Sequence, residues 1–186
     1  ELADMMFTAT RHAHPTFIRY PRGAAEGAEI KDEPAILEIG KAEVVENFKD
    51  TDKRKIAFFG LGPMFTMAQQ AAEELGEHFD CALINPRFTK PIDEATTEYF
   101  SKTADQIVTI EDHVLPGGYG SVVSELLVEK GISTPLLRIG WPDQFIEHAS
   151  SVSELREKYG LTPKAIAAQI KSASGTKASS KAKAVA

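Results

Sequence analysis

The stretch from residue 36 to residue 171 alternates between short apolar runs and segments whose apolar residues recur at helical spacing. Four of the runs, at 55–60, 79–84, 106–110 and 134–139, are apolar along most of their length. Strands of this kind are typical of parallel sheets, which are buried on both faces. Helices are predicted at 63–75, from Asp93, at 120–129, at 151–159 and from Thr162 onward. The pattern predicts an α/β fold, a mostly parallel sheet flanked by helices on both faces.

The segments before this alternation differ from it. Residues 1–13 carry their apolar side chains on one helical face, without an initiator methionine, which predicts that the chain begins inside a larger protein. A strand-like run at 16–20 is stopped by Pro21, because proline offers no backbone donor to a sheet. A polar stretch with glycine and proline at 24–36 is typical of a linker. A further strand is predicted at 36–45.

The last residues, 172–186, are Ser, Ala, Lys, Gly and Thr with almost no bulky apolar side chains. Such a segment buries too little surface to offset the entropy of ordering it, so we expect a disordered tail. The sequence thus divides into residues 1–23, a linker at 24–36, a domain at 37–171 and the tail.

Composition excludes several classes of protein. A hydrophobic content of 42% and a charged content of 26% are those of a soluble globular domain. The net charge of −6 gives no support to nucleic-acid binding. No apolar run reaches the roughly 18 residues that span a bilayer, so a membrane partner is not expected. The single cysteine, Cys81, lies in an apolar run, which predicts a buried, unreactive thiol and fits a reducing, cytoplasmic setting.

Two arginines are candidates for binding an anion. Arg19 precedes Pro21 at the end of a strand-like run, and Arg87 lies in a proline-stiffened loop directly after the run at 79–84. The carboxyl ends of strands are where α/β proteins often meet their ligands. Guanidinium groups suit phosphate because they keep their charge and present a rigid fork of donors. The alternative for Arg87 is an ion pair within its loop, with Asp93 or Glu94.

Three further features are more ambiguous. The turn Gly60-Leu61-Gly62-Pro63 could cradle a phosphate, but Phe65 replaces the third glycine of a dinucleotide fingerprint, so a plain tight turn is favoured. Glu111 and His113 follow a strand end and precede a run of glycines, where either a catalytic or a structural role would fit. His148 alone is weak support for catalysis, and no metal-binding spacing is present in the sequence.

Taken in order, the motifs resemble those of the 1-deoxy-D-xylulose-5-phosphate synthases, a family of transketolase-like thiamine diphosphate enzymes. The resemblance covers about residues 1–171 and rests on the motifs together with their spacing. The matching stretches are IRYPRG (18–23), GLGPM (60–64), NPRFTKPID (85–93), TIEDHVLPGGYGSVVSELL (109–127) and GWPDQFIEH (140–148).

The resemblance implies that residues 1–23 end a pyrimidine-binding domain and that 37–171 form a transketolase C-terminal-like domain. It implies a transferase that condenses pyruvate with D-glyceraldehyde 3-phosphate, releases CO₂ and forms 1-deoxy-D-xylulose 5-phosphate for isoprenoid, thiamine and pyridoxal synthesis. Thiamine diphosphate and Mg²⁺ would be held by parts absent from this chain, which alone would be inactive. A homodimer is also implied. In the family, the arginine opening RYPRG and that of RFTKP hold the substrate phosphate, and they match Arg19 and Arg87. No catalytic role is assigned to Glu111, His113 or His148.

Three alternatives remain open at this point. A β subunit of a 2-oxo acid dehydrogenase shares the fold, but would have no need of a paired-arginine phosphate site. The second alternative is a non-catalytic dimerisation module, and the third is a nicotinamide-dependent reductase.

Overall fold

A five-stranded sheet forms the centre of the computed structural model, which describes residues 1–21, 31–49, 51–148 and 151–182. The strands follow the order β1-β3-β2-β4-β5. All neighbours are parallel except β1, which runs antiparallel to β3 at one edge. The predicted mostly parallel sheet is therefore confirmed. Its strands are β1 (Glu43–Glu46), β2 (Arg54–Gly60), β3 (Phe79–Asn85), β4 (Gln106–Val114) and β5 (Leu136–Trp141).

Helices cover both faces of the sheet, as predicted. Side chains of α2 and α6 pack into the apolar cluster on one face, and those of α3 and α4 into the cluster on the other. A single 3₁₀ turn, Gly76–His78, joins α2 to β3. The helices are α1 (Leu2–Arg11), α2 (Met64–Leu75), α3 (Glu94–Thr103), α4 (Tyr119–Glu129), α5 (Val152–Lys158) and α6 (Pro163–Ala182).

The central strand β2 accounts for the continuous apolar run in the sequence. Ile56 and Phe58 point into the cluster with α2 and α6, while Ala57 and Phe59 point into the cluster with α3 and α4. All four side chains are fully buried. Successive side chains of a strand face opposite sides, so a strand covered by helices on both sides must be apolar at every position.

Two of the predicted strands differ in the structure. Residues 16–20 form neither strand nor helix, and Phe17 is 94% exposed. No neighbouring strand among the described residues pairs with them, and an isolated strand has no partner for its backbone groups. The strand predicted at 36–45 is reduced to β1, Glu43–Glu46, because the segment before it lies along α1 and the loop after β3 instead.

The described part of the predicted linker and the residue that follows it are fastened to α1 by polar contacts. Lys31 Nζ and the backbone N–H of Ala35 donate to the buried Asp4 carboxylate, at 2.7 and 2.8 Å. The N–H of Leu37 donates to the Thr8 hydroxyl at 2.8 Å. The rest of the predicted linker, up to residue 30, lies outside the described residues. The described part of the linker is therefore anchored to α1 rather than loose.

The C-terminal segment also departs from expectation. Helix α6 continues to Ala182, so its backbone extends past residue 171, where the sequence predicts the end of the domain; the disorder predicted for the tail stays a prediction. Residues 183–186 of the predicted tail lie outside the described residues.

The Cys81 thiol is partly rather than fully buried. Burial, followed by the charge of Asp80, raises its pKa to about 12. The protonated thiol is a poor nucleophile, in keeping with the unreactive cysteine predicted from the sequence.

Asp93 connects the start of α3 to the segment before β1. One carboxylate oxygen accepts from Thr96 N at 3.0 Å, which caps α3 as predicted. The other accepts from Ala42 N at 3.0 Å and from the Thr96 hydroxyl at 2.9 Å. Burial would raise the pKa of Asp93, but the hydrogen bonds from Thr96 and Ala42, with Lys41 nearby, outweigh it and hold the pKa below its usual value.

We expect Asp93→Ala to lower the free energy of unfolding by about 1–2 kcal/mol at neutral pH, because the α3 cap is lost. The folded pKa lies below the ordinary 3.8, so the carboxylate contributes fully above that pH. Its contribution is lost as the pH falls through the folded pKa. Urea unfolding of the wild type and of Asp93→Ala at pH 7 and pH 3 checks this. The difference between their free energies of unfolding should be smaller at pH 3, and a larger difference at pH 3 would contradict the assignment.

Candidate functional site

Arg87 lies in the loop that follows β3, at the edge of the sheet where the parallel strands end. Its backbone has a φ of 59°, and it is the one non-glycine residue with positive φ among the described residues. Its N–H donates to the Asn85 side-chain oxygen at 3.2 Å. Backbone strain of this kind costs on the order of 1–3 kcal/mol and tends to occur at functional sites. The predicted position of Arg87, at a strand's carboxyl end, is confirmed.

Two carboxylates hold the Arg87 guanidinium. Nη2 lies 2.7 Å from Glu43 Oε2, and Nε lies 3.3 Å from Glu1 Oε2. The same Glu1 oxygen accepts from the Asn85 amide at 2.6 Å, and Asn85 is itself buried. The Arg87 side chain is 21% exposed. Helix α1, the edge strand β1 and the loop after β3 thus meet at this one guanidinium.

The alternative ion pairs considered for Arg87 are not formed. Asp93 lies 3.9 Å from Lys41 and Glu94 lies 3.0 Å from Lys130, so both carboxylates have other cationic partners. Sequence reasoning missed Glu1 and Glu43 because both are distant from Arg87 along the chain. Asn85 lay inside the quoted motif, but nothing in its pattern indicated a link to α1.

Arg19 lies in a different environment. It is exposed, in the segment after α1 that has no regular secondary structure. No hydrogen bond or ion pair joins it to a described residue, and it shares no partner with Arg87. Arg22 and Gly23 of the same motif lie outside the described residues. Among the described residues, the Arg19 guanidinium is therefore exposed and unpaired, whereas the Arg87 guanidinium is engaged.

Glu111 has a structural role at the start of α4. Its carboxylate accepts from the N–H groups of Tyr119 at 2.6 Å and Gly120 at 2.9 Å, and the residue is 1% exposed. A carboxylate at this place is stabilised by the unpaired donors and the dipole of the helix. A Cβ on Gly118 would lie 2.2 Å from Glu111 Oε2. The absence of a side chain at Gly118 thus makes room for an internal carboxylate, which gives Glu111 the structural one of the two roles considered from the sequence.

The turn after β2 is shaped by packing against α2. A Cβ on Gly60 would lie 2.6 Å from the Phe65 Cα and 3.0 Å from the Ala68 Cβ. Gly62 has a φ of 58°, in the left-handed region. The space beside Gly60 is filled by the helix itself, which favours the tight turn over a phosphate cradle.

The loop after β5 is anchored to α5 and β4. Asp112 accepts from the Trp141 indole at 2.6 Å and from Arg156 at 3.2 Å. Glu147 pairs with Lys158 and with the Tyr159 hydroxyl, and these contacts lower its pKa to about 2.

The two histidines singled out in the sequence have separate surroundings. The Nδ1 of His113 lies 2.8 Å from the Val114 carbonyl oxygen, and His148 is exposed. Neither histidine forms part of a cluster of acid–base groups among the described residues.

Within the described ranges, no three or more His, Cys, Asp or Glu residues are grouped so as to hold a metal ion. The same residues include no helix that is both long and apolar enough to cross a membrane.

Comparison with known proteins adds the following findings. A family model described as "Transketolase, C-terminal domain" matches residues 41–166. The 1-deoxy-D-xylulose-5-phosphate synthase of Methylacidiphilum infernorum is 49% identical over 163 residues, 87% of this chain and 25% of the relative. That of Acidobacterium capsulatum is 48% identical over 166 residues, 89% of this chain and 26% of the relative. The chain therefore spans about a quarter of the length of these relatives.

Among solved structures, a chain titled "Split gene transketolase, inactive beta4 tetramer" is similar to this one with a TM-score of 0.64. The two are 31% identical, and the match covers 74% of this chain and 43% of the other.

We expect Glu111→Gln to destabilise the fold by about 1–3 kcal/mol, because the amide turns an NH₂ group toward a backbone donor and leaves it unsatisfied. Glu125→Gln, an exposed change of the same type on α4, is the matched control and should be near neutral. Urea unfolding measures both. Equal stabilities of the two variants would contradict the capping role.

Proposed function

The chain belongs to the transketolase C-terminal domain family, and from this premise we propose that it is the C-terminal part of a 1-deoxy-D-xylulose-5-phosphate synthase. That enzyme condenses pyruvate with D-glyceraldehyde 3-phosphate, with loss of CO₂, to 1-deoxy-D-xylulose 5-phosphate. The motif ensemble in the sequence supports this choice within the family. Relatives of that name that are nearly half identical over almost nine-tenths of the chain support it as well.

In this proposal Arg19 and Arg87 of this chain bind the phosphate of the aldehyde substrate. The observation that carries it is the geometry of Arg87, a guanidinium at the carboxyl edge of the sheet on a strained loop residue. Two of its nitrogens are engaged by carboxylates, and Nη1 has no acceptor among the described residues. Arg19 adds an exposed cation. Charge-assisted hydrogen bonds to phosphate are the strong ones, and the rigid fork of arginine suits its geometry.

Thiamine diphosphate and Mg²⁺ do not fit the residues that the structure describes. The space beside Gly60 in the turn after β2 is filled by α2, and the described residues include no group of three or more His, Cys, Asp or Glu that could hold a metal ion. We therefore assign both groups to other parts of the enzyme, and assign this chain no step in the chemistry on the cofactor. Its residues bind and orient the acceptor.

The split-gene transketolase whose title names an inactive β4 tetramer supports two further parts of the proposal. This chain alone would be catalytically inactive, and it would take part in self-association of the enzyme. The homodimer within this proposal rests on the family resemblance of the sequence. A β subunit of a 2-oxo acid dehydrogenase is less favoured, because its reaction does not require arginines that bind a phosphate of the acceptor.

We expect Arg87→Ala in the full-length enzyme to raise the KM for D-glyceraldehyde 3-phosphate roughly tenfold to a hundredfold, because a charged hydrogen bond contributes about 1.5–3 kcal/mol. The KM for unphosphorylated D-glyceraldehyde should not change. Arg87→Lys should be intermediate, since it keeps the charge and loses the fork. CO₂ release from pyruvate measures all three.

An equal rise in both KM values would argue for a general disturbance of the site rather than a phosphate contact. A different outcome is CO₂ release that is unaffected by either aldehyde and increases with a lipoyl acceptor. That result would contradict the proposed synthase and support the dehydrogenase alternative.

We also expect the 186-residue chain to release no CO₂ when supplied with thiamine diphosphate, Mg²⁺ and both substrates. Light scattering of the same sample should show an assembly larger than the 20.3 kDa monomer. Turnover by the chain alone would contradict the assignment of the cofactor to other parts, and a monomer would contradict self-association through this domain.

A further inference from the structure

Glu43 lies on the edge strand β1, at a point that the sheet fixes firmly. In the antiparallel register of β1 and β3, Glu43 is paired with Asn85, two residues before Arg87. On the other side, the N–H of Ala42 donates to the buried Asp93 carboxylate at 3.0 Å. The backbone that carries Glu43 is therefore held from both directions, and its side chain reaches Arg87 from a rigid element.

The contact between Glu43 and Arg87 is the shorter of the two that engage the guanidinium. Nη2 to Glu43 measures 2.7 Å, against 3.3 Å for Nε to Glu1. Asn85 also binds both Glu1 and the Arg87 backbone. An arginine side chain is rich in rotamers, so a carboxylate that fixes the guanidinium beforehand reduces the entropy lost when a ligand binds. The engaged atoms, Nε and Nη2, leave Nη1 for that ligand.

The charges at this place do not by themselves attract an anion. One guanidinium faces two carboxylates, Glu1 and Glu43, whose side chains are 33% and 44% exposed. Both carboxylates are open to water, whose high dielectric constant weakens their repulsion of a third anion. This arrangement would therefore bind an anion through oriented N–H donors on a fixed guanidinium rather than through net positive charge.

We propose that Glu43 is a positioning residue of the acceptor site, which orients the Arg87 guanidinium so that its remaining donors meet the phosphate of the substrate. This inference rests on the phosphate role proposed above for Arg87. Glu43 itself does not contact the substrate in this arrangement; it acts through Arg87.

The test uses the full-length enzyme with Glu43→Gln, Arg87→Ala and the double variant. Glu46→Gln is the matched control. Glu46 lies on the same strand with a side-chain exposure of 43%, and it pairs with Lys49 at 3.2 Å rather than with Arg87. For each protein the KM and kcat are measured with D-glyceraldehyde 3-phosphate and with D-glyceraldehyde.

We expect Glu43→Gln to raise the KM for the phosphorylated aldehyde roughly three- to tenfold, in the range of coupling between neighbouring residues. The kcat and the KM for D-glyceraldehyde should stay as in the wild type, and Glu46→Gln should change nothing. In the Arg87→Ala background Glu43→Gln should have no further effect. A merely structural role of Glu43 would move both aldehydes together, and thermal unfolding of each variant identifies any loss of fold.

A lower KM for the phosphorylated aldehyde in Glu43→Gln would overturn the inference, since the carboxylate would then be a competitor of phosphate. An unchanged KM in Glu43→Gln beside a raised KM in Arg87→Ala would also overturn it while leaving the proposed function intact. If Arg87→Ala itself leaves the KM unchanged, the phosphate role fails and this inference with it.

Discussion

The burial of β2 on both of its faces is the constraint from which the rest of the architecture follows. Ile56 and Phe58 need a cover on one side, and Ala57 and Phe59 need one on the other. Burying large apolar side chains is the dominant stabilising term in a domain of this size. The chain meets the requirement by placing α2 and α6 on one face and α3 and α4 on the other. Strands joined through such helices run parallel, so their carboxyl ends share one edge of the sheet.

Several polar side chains lie at that shared edge, and most of them bind other groups of the same domain. Glu111 satisfies the first donors of α4. Asp112 binds Trp141 and Arg156, so that the loop after β5 is tied to β4 and α5. The glycines that suggested ligand contacts serve these internal approaches instead. A strand-end acid followed by glycines is therefore ambiguous until the partner of the acid is known.

Arg87 differs from these groups because its contacts come from three separate parts of the chain. The loop after β3 sets its unusual backbone, β1 supplies Glu43, and α1 supplies Glu1. Helix α1 is in turn fastened to the segment before β1 by Asp4 and Thr8. The guanidinium is thus a junction between the first helix and the sheet. In the proposed function, this junction joins the segment that carries Arg19 to the domain that carries Arg87.

The sequence by itself determined the α/β class, the positions of the four parallel strands and the caps at Asp93 and Ser151, since each of these depends on local periodicity or on residues three apart. It also marked Arg87 as lying at a strand end. It failed at residues 16–20, because a strand depends on a partner that local pattern does not reveal. The tertiary structure alone decided that Glu111 caps α4 and that Glu1 and Glu43 hold Arg87. The Arg87 contacts join residues far apart in sequence. The Glu111 contacts span only eight and nine residues, but they form only when α4 packs against the end of β4.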